Sequence, residues 1–241
     1  MFIMELGEGF INLARHINCA RYNSQVIILN EKLNEFIFFD AAQSKFFTSI
    51  LGSLVQDLTR EAYELVLELV KADIIAIENQ LVKSSCATLN NVKGVNSCSW
   101  ELGDDRWTLK DLNLRTLLKA FSYLHDAEKL SEAGKLLTLT NILRDKYNSI
   151  DENEKCSREK LISIGSNVNL AIKLSRSQVH CLEFAYCVTR IAYENNIKCR
   201  FCIGVQTYPF ISHAWVAYEG EVILDNPDLE KDLVKILEIG L

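Results

Sequence analysis

No stretch of this chain stays apolar for the ~20 residues a membrane span requires. Its first residues, Met1-Phe2-Ile3-Met4-Glu5, lack the basic start and the long apolar core of a secretory signal. These absences lead us to expect a cytoplasmic protein with no membrane partner. Positive charge is also short, with 26 Lys and Arg against 32 Asp and Glu for a net charge of -6. That balance disfavours nucleic acid and anionic surfaces as partners. There is no internal repeat, no low-complexity tract and nothing resembling an ATP site. The eight cysteines, at 19, 86, 98, 156, 181, 187, 199 and 202, follow no framework spacing, so reduced thiols are expected. Cys199-Arg200-Phe201-Cys202 has no second pair at zinc-finger spacing. In a strand its two thiols point to opposite faces. The expectation is no metal and no cofactor.

What is present concentrates between residues 178 and 225. Residues 178–194 carry Val179, Leu182, Ala185, Cys187, Val188, Ile191 and Ala192 at approximate helical spacing. Ser175-x-x-Gln178 has the form of a capping box and Ser177 is a second candidate cap, which puts Cys181 in the first or second turn. The positive end of the helix dipole favours a thiolate there. His213 follows on an apolar strand and Asp225 on the next. Cys, His and Asp in that order are the parts of a thiol nucleophile machine: the imidazole takes the thiol proton, the carboxylate orients the imidazole, and the thiolate attacks a carbonyl. A lone cysteine on an apolar helix face is more often packing than nucleophile, and a strand histidine is usually structural; the joint pattern is what argues for chemistry. His180 is the wrong partner for Cys181, because adjacent helical side chains diverge. His16 and His125 have no companion motif.

The hairpin register decides the pairing. A three-residue loop at 218–220, with Gly220 left-handed, pairs His213 with Asp225 on one face. A two-residue turn at Glu219-Gly220 pairs His213 with Asn226 instead, and Asp228 is a further rival. We expect the first arrangement. The sequence does not identify the oxyanion donors; the Cys181 N–H and the Gln178 side chain are the candidates.

Cys181-Leu182, Ile203-Gly204-Val205, His213-Ala214-Trp215-Val216 and Gly220 with Asp225 give this stretch its resemblance to a known family. It resembles the leader peptidase (B protein) of lasso peptide biosynthesis, a branch of the transglutaminase-like, papain-related cysteine enzymes, over about residues 165–228. It departs at Ser212, Ala217 and Asn195-Asn196, none of them a triad position. The resemblance implies a cysteine peptidase that removes the leader from a precursor peptide, with Cys181 as nucleophile, His213 as base then acid and Asp225 as orienter. It also implies an asparagine-synthetase-like, ATP-using cyclase as partner. The alternatives are another cysteine acyl-transfer enzyme, of transglutaminase or arylamine acetyltransferase type, and a non-catalytic peptide-binding protein.

At 241 residues the chain can hold two domains with cores. Strand-like runs at 10–19, 25–29 and 35–39, helical runs at 41–54 and 59–72, and a short closing strand at 73–77 suggest a small winged-helix-like module over residues 1–83. It resembles the leader-recognition element of enzymes acting on ribosomally made, modified peptides. Glu61, Glu64 and Glu68 on its second helix would repel phosphates, which argues against DNA. A leader would instead add as a strand to the edge at 34–39, with Asn34, Phe36, Phe38 and Tyr63 as candidate contacts. Residues 84–99 read as a linker. Helices opening at Thr108-x-x-Asp111, at 131–147 and at 160–174, followed by antiparallel strands, make residues 100–241 an α+β, papain/transglutaminase-like domain.

Overall fold

The computed structural model describes residues 6–82, 86–90, 92, 94–96, 112–150, 158–175 and 179–240. They form two compact units, Met1–Asn91 and Val92–Leu241, and the architecture is α+β.

The first unit runs β1 (Phe10–Leu13), β2 (Ile17–Tyr22), β3 (Gln25–Asn30), β4 (Glu35–Phe38), α1 (Ala41–Ile50), α2 (Arg60–Lys71), β5 (Ile75–Glu78) and β6 (Ala87–Leu89). The single strand expected at 10–19 is broken by a turn in which the Ile17 N–H donates to the Ala14 carbonyl at 2.8 Å. As a result β1 pairs with β5, while β2 joins the sheet β4-β3-β2-β6. Local chemistry sets the helix ends. Asp40 and Gln43 form a reciprocal capping box at the start of α1, and Thr59 accepts the Ala62 N–H at the start of α2. Past α2, Asp73 is left-handed (φ 57°). The Ile74 N–H returns to the Leu69 carbonyl and that of Asp73 to Val70, a Schellman ending with Asp in place of Gly. Ile11, Val26, Ile28, Phe47 and Val66 lie in the core between sheet and helices.

Two expectations are corrected here. The segment 84–99 is not all linker, since β6 pairs in parallel with β2. That pairing sets Ala87 opposite Ala20 and brings Cys86 beside Cys19, Cα atoms 5.1 Å apart, where the two are joined in a disulfide. A separation of 67 residues hides such a lateral neighbour from any spacing rule. Cys181, Cys187, Cys199 and Cys202 are free thiols.

The second unit runs α3 (Leu114–Glu132), α4 (Leu136–Asn148), α5 (Arg158–Ser175), α6 (Cys181–Glu194), β7 (Arg200–Gln206), β8 (Ile211–Tyr218), β9 (Glu221–Ile223), α7 (Leu229–Asp232) and β10 (Val234–Ile239). The sheet is antiparallel, ordered β10-β7-β8-β9. Helix α6 lies at the centre, packed on β7 and β8 and touched by α3, α4 and α5, and residues 183–189 are all buried. The break expected at 131 falls later: α3 continues to Glu132, and Gly134 (φ 65°) ends it with the same Schellman pattern, Lys135 N–H to Leu130 and Gly134 N–H to Ser131. The proposed start of this helix at Thr108 lies outside the described residues; Asn113 is the cap that is seen. No helix among the described residues is long and apolar enough to cross a membrane.

Gly204 on β7 pairs with His213 on β8. A Cβ at Gly204 would sit 2.5 and 2.6 Å from two atoms of the Trp215 ring and 3.0 Å from the Leu233 Cβ. Only the absence of a side chain lets that ring lie across β7. Gly204→Ala should therefore destabilise the protein by about 1–3 kcal/mol, with a changed Trp emission spectrum, measured by urea unfolding. An unchanged midpoint would mean that Trp215 has room to move.

Candidate active site

Cys181 is the first residue of α6, with His180 as the N-cap. The Glu183 carboxylate accepts the His180 N–H at 2.9 Å. Val179 and Phe184 occupy the two positions of a hydrophobic staple, and both are buried. Cap and staple together fix where the helix begins, and so where the thiol stands. Ser175 does not perform this role, since it ends α5; Ser177 and Gln178, the other residues expected to mark the helix start, lie outside the described residues, as do all of 176–178. Helix geometry gives the Cys181 N–H no intrahelical acceptor, so it remains an available donor beside the thiol. At the other end of α6, Asn196 is left-handed (φ 55°) and completes a third Schellman ending, with the Ile197 N–H on Ala192 and the Asn196 N–H on Tyr193. Asparagine thereby replaces the glycine that often stands there.

His213 is buried in β8, with 3% of its side chain exposed, and Asp225 is 15% exposed. The His213 Nε2 lies 2.7 Å from the Asp225 Oδ2. The second carboxylate oxygen accepts the Asn226 N–H at 2.7 Å. Nε2 being engaged, Nδ1 is the ring nitrogen left for the thiol, and Cys181 is near enough to help raise the imidazole's pKa. Burial alone would push the imidazole down. The hydrogen bond that the ring donates to Asp225, the interaction with Cys181 and the charge of both groups outweigh it and hold His213 up at about 9, against an ordinary 6.5.

The route to this contact differs from the expected one. The β8–β9 ladder pairs Val216 with Ile223, Ala217 with Val222 and Tyr218 with Glu221. The turn is therefore the two-residue Glu219-Gly220, both left-handed at φ 50° and 87°. Continued as a strand, that register would set Asn226 opposite His213. It does not continue. β9 stops at Ile223, Leu224 turns left-handed (φ 63°), and Asp225 is swung onto the imidazole. The register argument from sequence was wrong, while Asp225 meets His213 through a break that alternation cannot foresee.

Other candidates sit as follows. Among the described residues no cluster of three or more His, Cys, Asp or Glu could hold a metal ion. Cys199 and Cys202 are buried, and burial pushes the Cys202 thiol up to about 12. In the first unit, among the described residues β4 pairs only with β3. Asn34 stands exposed and left-handed (φ 55°) before it; Phe36 is half-buried and Phe38 is 45% exposed. These two phenylalanines share one face of the strand, whereas Ile37 and Phe39 point to the other and pack on the core. The Tyr63 hydroxyl accepts the Leu6 N–H at 2.8 Å, which ties that ring into its own unit. An apolar groove of about 330 Å³ lies on the helix side, lined by Phe39, Ala42, Phe46, Leu65 and Leu69 among others. The sequence reading missed these groove residues. Strand alternation starting from Phe39, which meets Phe47 edge to face at 5.0 Å, was the available signal.

With this geometry in view, residues 120–238 match the model of the transglutaminase-like superfamily. The matched region spans α6 and, but for Ile239, the β7–β10 sheet, and with them Cys181, His213 and Asp225. Over 123 residues the chain is 34% identical to the microcin J25-processing protein McjB of Escherichia coli, taking in 51% of this chain and 56% of that relative. It thus spans little more than half the length of the curated relative it matches. No solved structure matches the chain significantly.

Because His213 is held at about 9 against an ordinary 6.5, its stabilising contribution is complete below about pH 6.5 and fades as pH rises through 9. Asp225→Asn should lower the His213 titration midpoint, followed by imidazole NMR, and flatten the stability profile across that window. A midpoint unmoved by the substitution would show that Asp225 does not govern the ring.

Proposed function

We propose that this protein is a cysteine peptidase that removes the leader from a lasso precursor peptide. The observation that carries the reading is the arrangement of Cys181, His213 and Asp225: a thiol at a helix N-terminus, an imidazole held above its ordinary pKa, and a carboxylate on the far ring nitrogen. The likeness to a protein named for processing microcin J25 supports a peptide substrate. The resemblance to lasso leader peptidases narrows that substrate to a leader-bearing precursor.

The chemistry follows from the residues. The thiolate of Cys181 attacks the carbonyl at the leader–core junction, and the Cys181 N–H stabilises the oxyanion. The imidazolium of His213 gives its proton to the leaving core amine through Nδ1. A thioester between Cys181 and the leader remains. Neutral His213 then draws a proton from water, which attacks the thioester, releases the leader acid and regenerates the thiol. Asp225 keeps the ring in one tautomer and orientation, and supports its charged form. The freed core amine is the nucleophile that an asparagine-synthetase-like cyclase would use next.

Leader recognition belongs to the first unit in this reading. The β4 edge offers backbone groups for strand addition, and the adjoining groove takes apolar leader side chains. Exposed Glu61, Glu64 and Glu68 on α2 make the same surface a poor one for phosphates.

In the full-length protein, Cys181→Ala should abolish leader removal, a loss of several orders of magnitude, while leader affinity by titration calorimetry stays unchanged. Leu65→Ala, at a 44% exposed groove position that the fold tolerates, should weaken leader binding severalfold without affecting a thiol-reactive probe at Cys181. Near-normal cleavage by Cys181→Ala would place the nucleophile elsewhere. Products joined to an added amine, with no free leader acid, would favour an acyl transferase.

A further inference from the structure

Asp225 is not delivered to His213 by the β-ladder. The ladder ends at Ile223, and one residue, Leu224, supplies the turn in a left-handed conformation (φ 63°) that L-residues with branched side chains adopt at a cost. Such a conformation persists only where its surroundings over-determine it. A second locally unfavourable choice meets it. Gly165 is buried in the middle of α5, where glycine weakens a helix relative to alanine. A Cβ on Gly165 would run into the Leu224 Cδ1 and come within 3.1 Å of both its Cδ2 and Cγ. The absent side chain leaves the space that the leucine fills. Two residues that each oppose their own local structure thus meet at one contact, immediately before the carboxylate that holds the imidazole.

We infer that Leu224 seated on Gly165 is the device that aims Asp225 at His213, with Gly165 and Leu224 acting as positioning residues. Packing on α5 holds the left-handed turn, and the turn sets the direction of Asp225. The carboxylate is then clamped from both sides, Oδ1 by the Asn226 N–H and Oδ2 by the ring, each at 2.7 Å. A helix that carries none of the three site residues therefore sets the direction of Asp225. The inference rests on the reading of these three as a catalytic unit, but its test does not need that reading to be right.

The experiment uses full-length Gly165→Ala, Leu224→Gly and the double variant, and reads three things: the urea midpoint, the His213 imidazole titration by NMR, and kcat and KM for leader cleavage. Gly165→Ala should stay folded with a urea midpoint near the wild-type value at neutral pH, the alanine's gain in the helix offsetting the loosened Asp225 contact. Its His213 midpoint should fall by about one pH unit or more as the Asp225 contact loosens, and kcat should drop about tenfold or more with KM unchanged. In the double variant, glycine at 224 makes the left-handed turn without a clash, and the His213 midpoint should return toward the wild-type value. A Gly165→Ala protein with the wild-type His213 midpoint would overturn the inference. If Gly165→Ala unfolds, the double variant decides: recovery of the fold with a low His213 midpoint also overturns it. A midpoint that falls and is rescued as described, in a protein that cuts no leader, would uphold the positioning and refute the peptidase.

Discussion

The hydrogen bond between the His213 Nε2 and the Asp225 Oδ2 is short, at 2.7 Å, and all but dry, with the ring 3% exposed. In such surroundings a charge–dipole contact has weight that it would lack in water. It decides which ring nitrogen is left to face the thiol, offsets the burial that would otherwise push the imidazole down and, in the proposed mechanism, keeps a proton available for a leaving group. Everything nearby can be read as serving that contact. β7 gives up a side chain at Gly204 so that the ring of Trp215, two residues along β8 from His213, can lie across it. The cap and staple of α6 set the thiol. The stop at Ile223 brings the carboxylate round.

Much of the second unit was legible in the sequence. The helical stripe of α6, the apolar strands and the Cys-His-Asp order are local signals with short periods, and they gave the α+β layout. What escaped is instructive. A start was assigned from Ser175 and Gln178, but His180 caps α6 because Glu183 reaches back to its N–H, a pairing that favours the later start. The hairpin register was argued from the need to bring Asp225 to His213, as though a strand must stay regular. The chain meets that need with a tight two-residue turn and a leucine in a conformation no propensity scale would choose. Local rules fail at the residue nearest the proposed chemistry, where strained backbone tends to collect.

The first unit shows a different limit. Its element types were readable, and Thr59 caps α2 as its sequence suggests. The Cys19–Cys86 link depends on a parallel pairing between β2 and β6, which leaves no trace in cysteine spacing. Phe36 and Phe38, the candidate contacts read from sequence, share one face of β4, and the groove lies on the other. Only the packing of Phe39 against Phe47 shows that the helix-side groove belongs to the alternate residues. One strand thus offers two distinct surfaces, a backbone edge for pairing and an apolar trough for side chains.

A covalent intermediate is the point on which the account stands or falls. Full-length protein mixed with precursor peptide and quenched in acid within the first turnover should show, by intact mass and peptide mapping, a thioester joining the leader's C-terminal residue to Cys181. It should be released by hydroxylamine. Efficient leader removal with the acyl group on another residue, or with no acyl-enzyme and full activity after Cys181 has been blocked, would contradict the account.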